Sequence, residues 1–144
     1  MRIGINLALG FIAAALAVVT AHQGVILLLK TIGMMPPTTR PWNMTPFGPL
    51  QVPTLVNLMF WGGLWGVLFA LIHDKLPGGA WWVKGLIFGW LVVVFSNWIV
   101  LPLIRGQPLF AGYDPQRLLV GAIILGAFGI ATAIFFYSFL RPQA

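Results

Sequence analysis

Four apolar runs govern what this chain can become: about residues 3–29, 53–72, 81–104 and 118–140. Each has the roughly 20 residues that an α-helix needs to cross a hydrocarbon core of about 30 Å. Each ends at a charge or at Pro and Gly: Lys30, the "HDKLPGG" of residues 73–79, Arg105 and Arg141. With 60% of its 144 residues hydrophobic and 7% charged, and a mean hydropathy of +0.97, the chain has more apolar surface than a small soluble domain can hide, since such a domain buries only around 70% of its unfolded surface. The solvent these runs fit is a bilayer. There, every backbone polar group must be bonded within its own segment, which makes the runs helices. The expected fold is all-α: an integral membrane four-helix bundle, one transmembrane domain over residues 1–144, with long loops at 30–52 and 105–117 and both termini on one side.

The first run has a rival reading. Arg2 followed by an apolar stretch closing in "VVTA" resembles a secretory signal with a cleavage site after Ala21. The apolar run resumes at Gly24 and reaches Leu29, which gives spanning length, so residues 3–29 are read as a retained span. Orientation by the positive-inside rule ties. Arg2, Lys75, Lys84 and Arg141 lie on the terminal side, against Lys30, Arg40, Arg105 and Arg117 on the side of the long loops. Because long loops translocate with little regard to charge, the termini are expected to be cytoplasmic.

The net charge of +6 comes from eight Lys and Arg against Asp74 and Asp114. The basic residues stand singly at the ends of apolar runs, where they meet lipid headgroups, rather than clustered on one face as nucleic-acid binding requires. Without cysteine there is no disulfide, thiolate metal site or Cys nucleophile. No phosphate-cradling glycine loop, metal-ligand cluster or zinc spacing occurs, so no metal is expected and the cofactor stays unknown. The stretch 31–53, the first long loop with the residue that follows it, holds six of the eleven prolines and is expected to be extended or turned. It lies among headgroups or closes over the helix ends as a lid.

The chain repeats itself. Residues 7–30 align without a gap on residues 82–105: Gly10 falls on Gly85, Ala21 and His22 on Ser96 and Asn97, and Lys30 on Arg105. "GLWGVLFAL" (63–71) likewise matches "GAFGIATAI" (126–134), with Gly63, Gly66 and Ala70 on Gly126, Gly129 and Ala133. Two hairpins of the same topology are related by an axis along the membrane normal, so pseudo-twofold symmetry is expected. In lipid, where no hydrophobic drive acts between helices, small residues four apart let backbones approach. Gly10, Gly62, Gly66, Gly85, Gly89, Gly126 and Gly129 are therefore read as packing positions.

Polar residues inside the runs share one depth. His22 and Gln23 precede Lys30 by eight and seven residues, Ser96 and Asn97 precede Arg105 by nine and eight, and Asn57 lies just inside the second run. All fall in the half facing the long loops. Such residues often bond between helices; the functional reading is a polar pocket roofed by the proline-rich loop and by "RGQPLFAGYDPQR" (105–117), since ionisable groups within spans are rare and mark sites. His22, Gln23, Asn57, Ser96 and Asn97 are the ligand-binding candidates. At 100° per residue, Gln23 points nearly opposite the small-residue stripe of its helix. A partner is expected there, another subunit for example, because a bare amide in hydrocarbon costs several kcal/mol.

His22 and His73 lie at opposite membrane faces, about 25 Å apart by helical rise, which weakens a bis-His haem within one subunit. Coupled transport usually places carboxylates in the membrane, and both aspartates are in loops. Hydrolysis through His22 and Ser96 lacks a carboxylate to orient it.

In "FWGGLWG" (60–66), "LGAFG" (125–129), "AHQG" (21–24) and "RGQPLFAGYDPQ" (105–116) the chain resembles small, functionally unassigned four-span proteins of bacterial inner membranes. That resemblance implies a multi-pass inner-membrane location and no activity to transfer. Three classes are carried forward. The first is a non-enzymatic membrane protein, surrounded by membrane lipids, that works as a homo-oligomer or as the accessory subunit of a larger membrane complex, or that binds a lipid-soluble or amphipathic molecule. The others are a small oligomeric transporter or channel, and a membrane enzyme using His22.

Overall fold

The computed structural model describes residues 2–140; Arg141, the charge expected to close the fourth run, lies outside them. The chain is mostly helical, with four helices long and apolar enough to cross a membrane. Helix α1 covers Ile3–Thr31; it is α-helical to Ala17, π-helical over Val18–His22 and α-helical again over Gln23–Thr31. The loop after it contains a minimal antiparallel pair, β1 (Pro46–Phe47) and β2 (Val52–Pro53). Helix α2 covers Thr54–Ile72 and closes in a 3-10 turn at His73–Lys75. Helix α3, Trp81–Arg105, changes to π-helix over Val93–Val100, and α4 covers Pro115–Leu140.

Helix ends obey local signals rather than the limits of hydropathy. α1 runs two residues past Leu29 and stops at Gly33, whose φ of 85° suits a left-handed cap. The N–H of Met34 reaches the Leu29 carbonyl at 2.9 Å and that of Gly33 reaches Lys30 at 3.1 Å, the two bonds of a Schellman close. α4 begins three residues before the expected 118. The Asp114 side chain accepts the N–H of Gln116 at 3.1 Å, and Pro115 takes the first helical position, where a missing N–H costs nothing. Hydropathy marks the apolar run, while the hydrogen-bonded ladder extends through polar residues beyond it.

α1 packs along α2, α3 along α4, and α1 along α4. Glycines set the first two contacts: a methyl group on Gly10 would meet the Gly66 carbonyl and the Ala70 side chain, and one on Gly85 would meet the Gly129 carbonyl and the Ala133 side chain. A methyl on Gly66 would strike Gly10 and Ala14, and one on Gly129 would strike Gly85 and Gly89. Phe11 lies over Gly63 as Leu86 lies over Gly126. Backbones this close gain dispersion contact and leave no room for side chains between them.

α2 and α3 do not pack in this way. They approach through side chains in the half nearer the termini, where Phe69 and Phe88 stand 4.9 Å apart between ring centroids and Phe136 meets Phe69 at 5.6 Å. At that end His73 Nδ1 and the Tyr137 hydroxyl share a 2.9 Å hydrogen bond, and Lys84 Nζ donates to the His73 carbonyl at 3.0 Å, tying α2, α3 and α4 together. Outward faces of all four helices carry exposed large apolar side chains, Ile12, Leu64, Leu91 and Ile134 among them.

Candidate functional site

The gap left between α2 and α3 toward the long loops is a cavity of about 460 Å³. Four of the five polar candidates line it: His22 from α1, Asn57 from α2, and Ser96 and Asn97 from α3. The spacing 57, 61, 65 puts Asn57, Trp61 and Trp65 on one face of α2, and all three line the cavity. Phe128 of α4 forms part of its wall and meets the His22 ring edge to face, at 6.2 Å between centroids. Arg105, at the end of α3, and Phe47, in the proline-rich loop, also line it. Of the two roofing loops, then, the first contributes Phe47 and the second its opening residue Arg105.

Gln23, the fifth candidate, does not reach the cavity. It is 3% exposed, and its partner is this chain's own loop rather than a second subunit. The backbone N–H of Trp42 donates to Gln23 Oε1 at 2.9 Å, and Gln23 Nε2 lies 3.0 Å from His22 Nδ1. The second partner that the helical wheel called for is thus the loop. Val18–His22 is π-helical, and bonds from i to i+5 insert an extra residue into the turn and re-aim the side chains after it. The same stretch receives the loop a second time: the Trp42 indole N–H donates to the Val19 carbonyl at 2.8 Å.

This chain of bonds assigns the His22 tautomer. Trp42 N–H can only donate, so the Gln23 atom it meets is the carbonyl oxygen and the amide nitrogen faces His22. An amide nitrogen is a donor only, so Nδ1 accepts. A neutral imidazole then carries its proton on Nε2, the nitrogen turned away from Gln23. The cavity thereby holds an N–H donor from His22, a hydroxyl from Ser96 and amides from Asn57 and Asn97, set among tryptophan and phenylalanine walls.

His73 lies at the other end of the fold, bonded to Tyr137, so the two histidines are not brought together. Among the described residues no three His, Asp, Glu or Cys side chains gather as metal ligands. Sequence reasoning missed Arg105, Trp61, Trp65, Phe47 and Phe128 as lining residues. The one available signal was the four-residue spacing of Asn57, Trp61 and Trp65. Comparison with protein-family models, curated proteins and solved structures returns no match.

Proposed function

We propose that this chain is a multi-pass protein of the bacterial inner membrane, built from two related hairpins, that binds a lipid-soluble or amphipathic molecule in the cavity between α2 and α3. The observation that carries this reading is the joint lining of one cavity by His22, Asn57, Ser96 and Asn97 between tryptophan walls. Ligand sites of roughly 300–1,000 Å³ with apolar linings and a few placed polar groups are the common pattern for small molecules.

Membrane residence is supported by four apolar helices of spanning length and by the apolar side chains they expose. The hairpin relation is supported by equivalences that fall at the aligned positions. Gly10 with Gly66 corresponds to Gly85 with Gly129, and Phe11 over Gly63 to Leu86 over Gly126; both π-helical stretches begin at aligned residues, Val18 and Val93. A twofold axis along the membrane normal relates the α1–α4 contact to an α2–α3 contact. The first is packed and the second is parted, so the cavity sits where the pseudo-symmetry breaks. Phe69, Phe88 and Phe136 close the half nearer the termini, which favours a binder over a channel through one copy.

The test is to purify the protein in native lipid particles and extract what accompanies it for mass spectrometry. A small molecule retained by the wild type and lost from His22→Ala supports the reading. An empty cavity in both overturns it; the same molecule held equally by both removes His22 from the site. A stoichiometric larger assembly in the same preparation would make the chain an accessory subunit.

A further inference from the structure

Resting on the reading of this cavity as a ligand site, we propose that its occupant is a flat, lipid-soluble carbonyl compound of the benzoquinone type, with a carbonyl oxygen on His22 and its ring against the tryptophans. The first ground is the fixed tautomer. Gln23, held by Trp42, donates to His22 Nδ1, so His22 offers an N–H and not a lone pair. Its ligand must present an acceptor.

Depth decides what kind of acceptor. His22 lies nine residues before Thr31, about 13 Å along the helix from its end. A phospholipid or fatty acid keeps its oxygens at the headgroup level and would bring only hydrocarbon this deep. An N–H facing hydrocarbon without a partner costs about 1–3 kcal/mol on the scale of protein substitutions. A molecule that carries its oxygens on an apolar ring, and so enters the hydrocarbon region intact, satisfies the donor where an acyl chain cannot.

The walls favour a ring. Trp61 and Trp65 stand one turn apart on α2, and Phe128 lines the cavity beside His22. Aromatic faces and edges receive a planar π-system in stacked or T-shaped geometry. Ser96 and Asn97 on α3 supply a hydroxyl and an amide for a second oxygen. Among the described residues Arg105 is the one Lys, Arg, Asp or Glu that lines the cavity; it ends α3, eight residues beyond Asn97, so the lining around Ser96 and Asn97 suits a neutral ligand. Recognition is by binding; no redox step is assigned.

The protein in detergent micelles is titrated with decyl-benzoquinone and, separately, with a brominated fatty acid, tryptophan fluorescence reporting both because each probe quenches indoles. Expected for the wild type is saturable quenching by the quinone, weakened at least tenfold in His22→Leu and largely restored in His22→Gln, whose amide retains an N–H. Val100→Trp, which adds bulk to the cavity lining from α3 and leaves His22 itself unaltered, is expected to abolish saturable quenching. Equal quinone affinity in wild type and His22→Leu overturns the inference, as does saturable quenching by the fatty acid with none by the quinone. In both cases the cavity itself survives as a ligand site. No saturable quenching by either probe, or saturation unaffected by Val100→Trp, overturns the inference and the reading beneath it. Should His22→Leu fail to purify, Trp61→Leu carries the test. Trp61 is 56% exposed, so its loss leaves the core intact, and quinone binding is expected to weaken about fivefold; unchanged affinity overturns the proposal.

Discussion

The backbone N–H of Trp42 is bonded to Gln23 Oε1 at 2.9 Å, although the two residues belong to a proline-rich loop and to the interior of α1. That bond pins the loop to the π-helical stretch that the Trp42 indole also contacts through Val19. Gln23→Leu keeps the volume and removes the acceptor, leaving a partly buried N–H unpaired at about 1–3 kcal/mol. The expected outcome is a released loop with the helices intact. Hydrogen exchange over residues 31–53 should accelerate while helical circular dichroism stays unchanged, and slow exchange in this segment would show that other contacts hold it.

The glycine contacts predict matched penalties. Gly66→Ala and Gly129→Ala each drive a methyl into the backbone of the facing helix, and overpacking of this kind costs about 1–3 kcal/mol. Gly24 sits in α1 with nothing within 4 Å of the place its Cβ would take, so Gly24→Ala should gain about 0.5–1 kcal/mol from helix propensity. Unfolding in mixed micelles of increasing denaturing detergent measures all three. Similar losses at 66 and 129 with a gain at 24 are expected; a large difference between the two losses would mean that the hairpins do not pack alike.

The helices and the glycine faces were legible because the constraints a bilayer would impose are simple ones. Where no water reaches a segment's centre, hydropathy alone selects the helical runs, and where no hydrophobic drive acts, close packing falls to Gly and Ala. The shared depth of His22, Ser96 and Asn97 was legible by counting residues from Lys30 and Arg105. The surroundings of Gln23 were not, since no residue type announces the π-helical turn that precedes it. Trp42 could be read as apolar enough to fold back, but not as the donor to Gln23. The left-handed backbone at Phe110, Ala111 and Tyr113 likewise has no mark in their identity. Arg105 reads as a flanking cation from sequence, and only the parting of α3 from α2 makes it a lining residue.

Asp114 starts α4 by accepting the Gln116 N–H. Asp114→Ala should cost about 0.5–2 kcal/mol, the usual range for a lost N-cap, and shift the ordered start of α4 toward Leu118. Because Gln116 Nε2 donates to the Met34 carbonyl at 3.1 Å, fraying of this first turn also loosens the two long loops from each other. Thermal unfolding gives the first quantity and hydrogen exchange at residues 115–118 the second. An unchanged midpoint would show that Pro115 alone suffices to start the helix.

The orientation expected from the sequence, with cytoplasmic termini, would place the proline-rich loop outside the cytoplasm and the short loop between α2 and α3 within it. The chain has no cysteine, so single thiols can be introduced without a background. Leu50 is 84% exposed, and Gly79 has nothing near the position of an added Cβ, so a side chain is tolerated at both. In spheroplasts treated with a membrane-impermeant maleimide, Leu50→Cys should label at once and Gly79→Cys only after permeabilisation. The reverse pattern would invert the topology and turn the cavity, which opens toward the long loops, to the cytoplasmic leaflet. Labelling of both without permeabilisation would mean that α2 does not cross the membrane, because these two positions flank it.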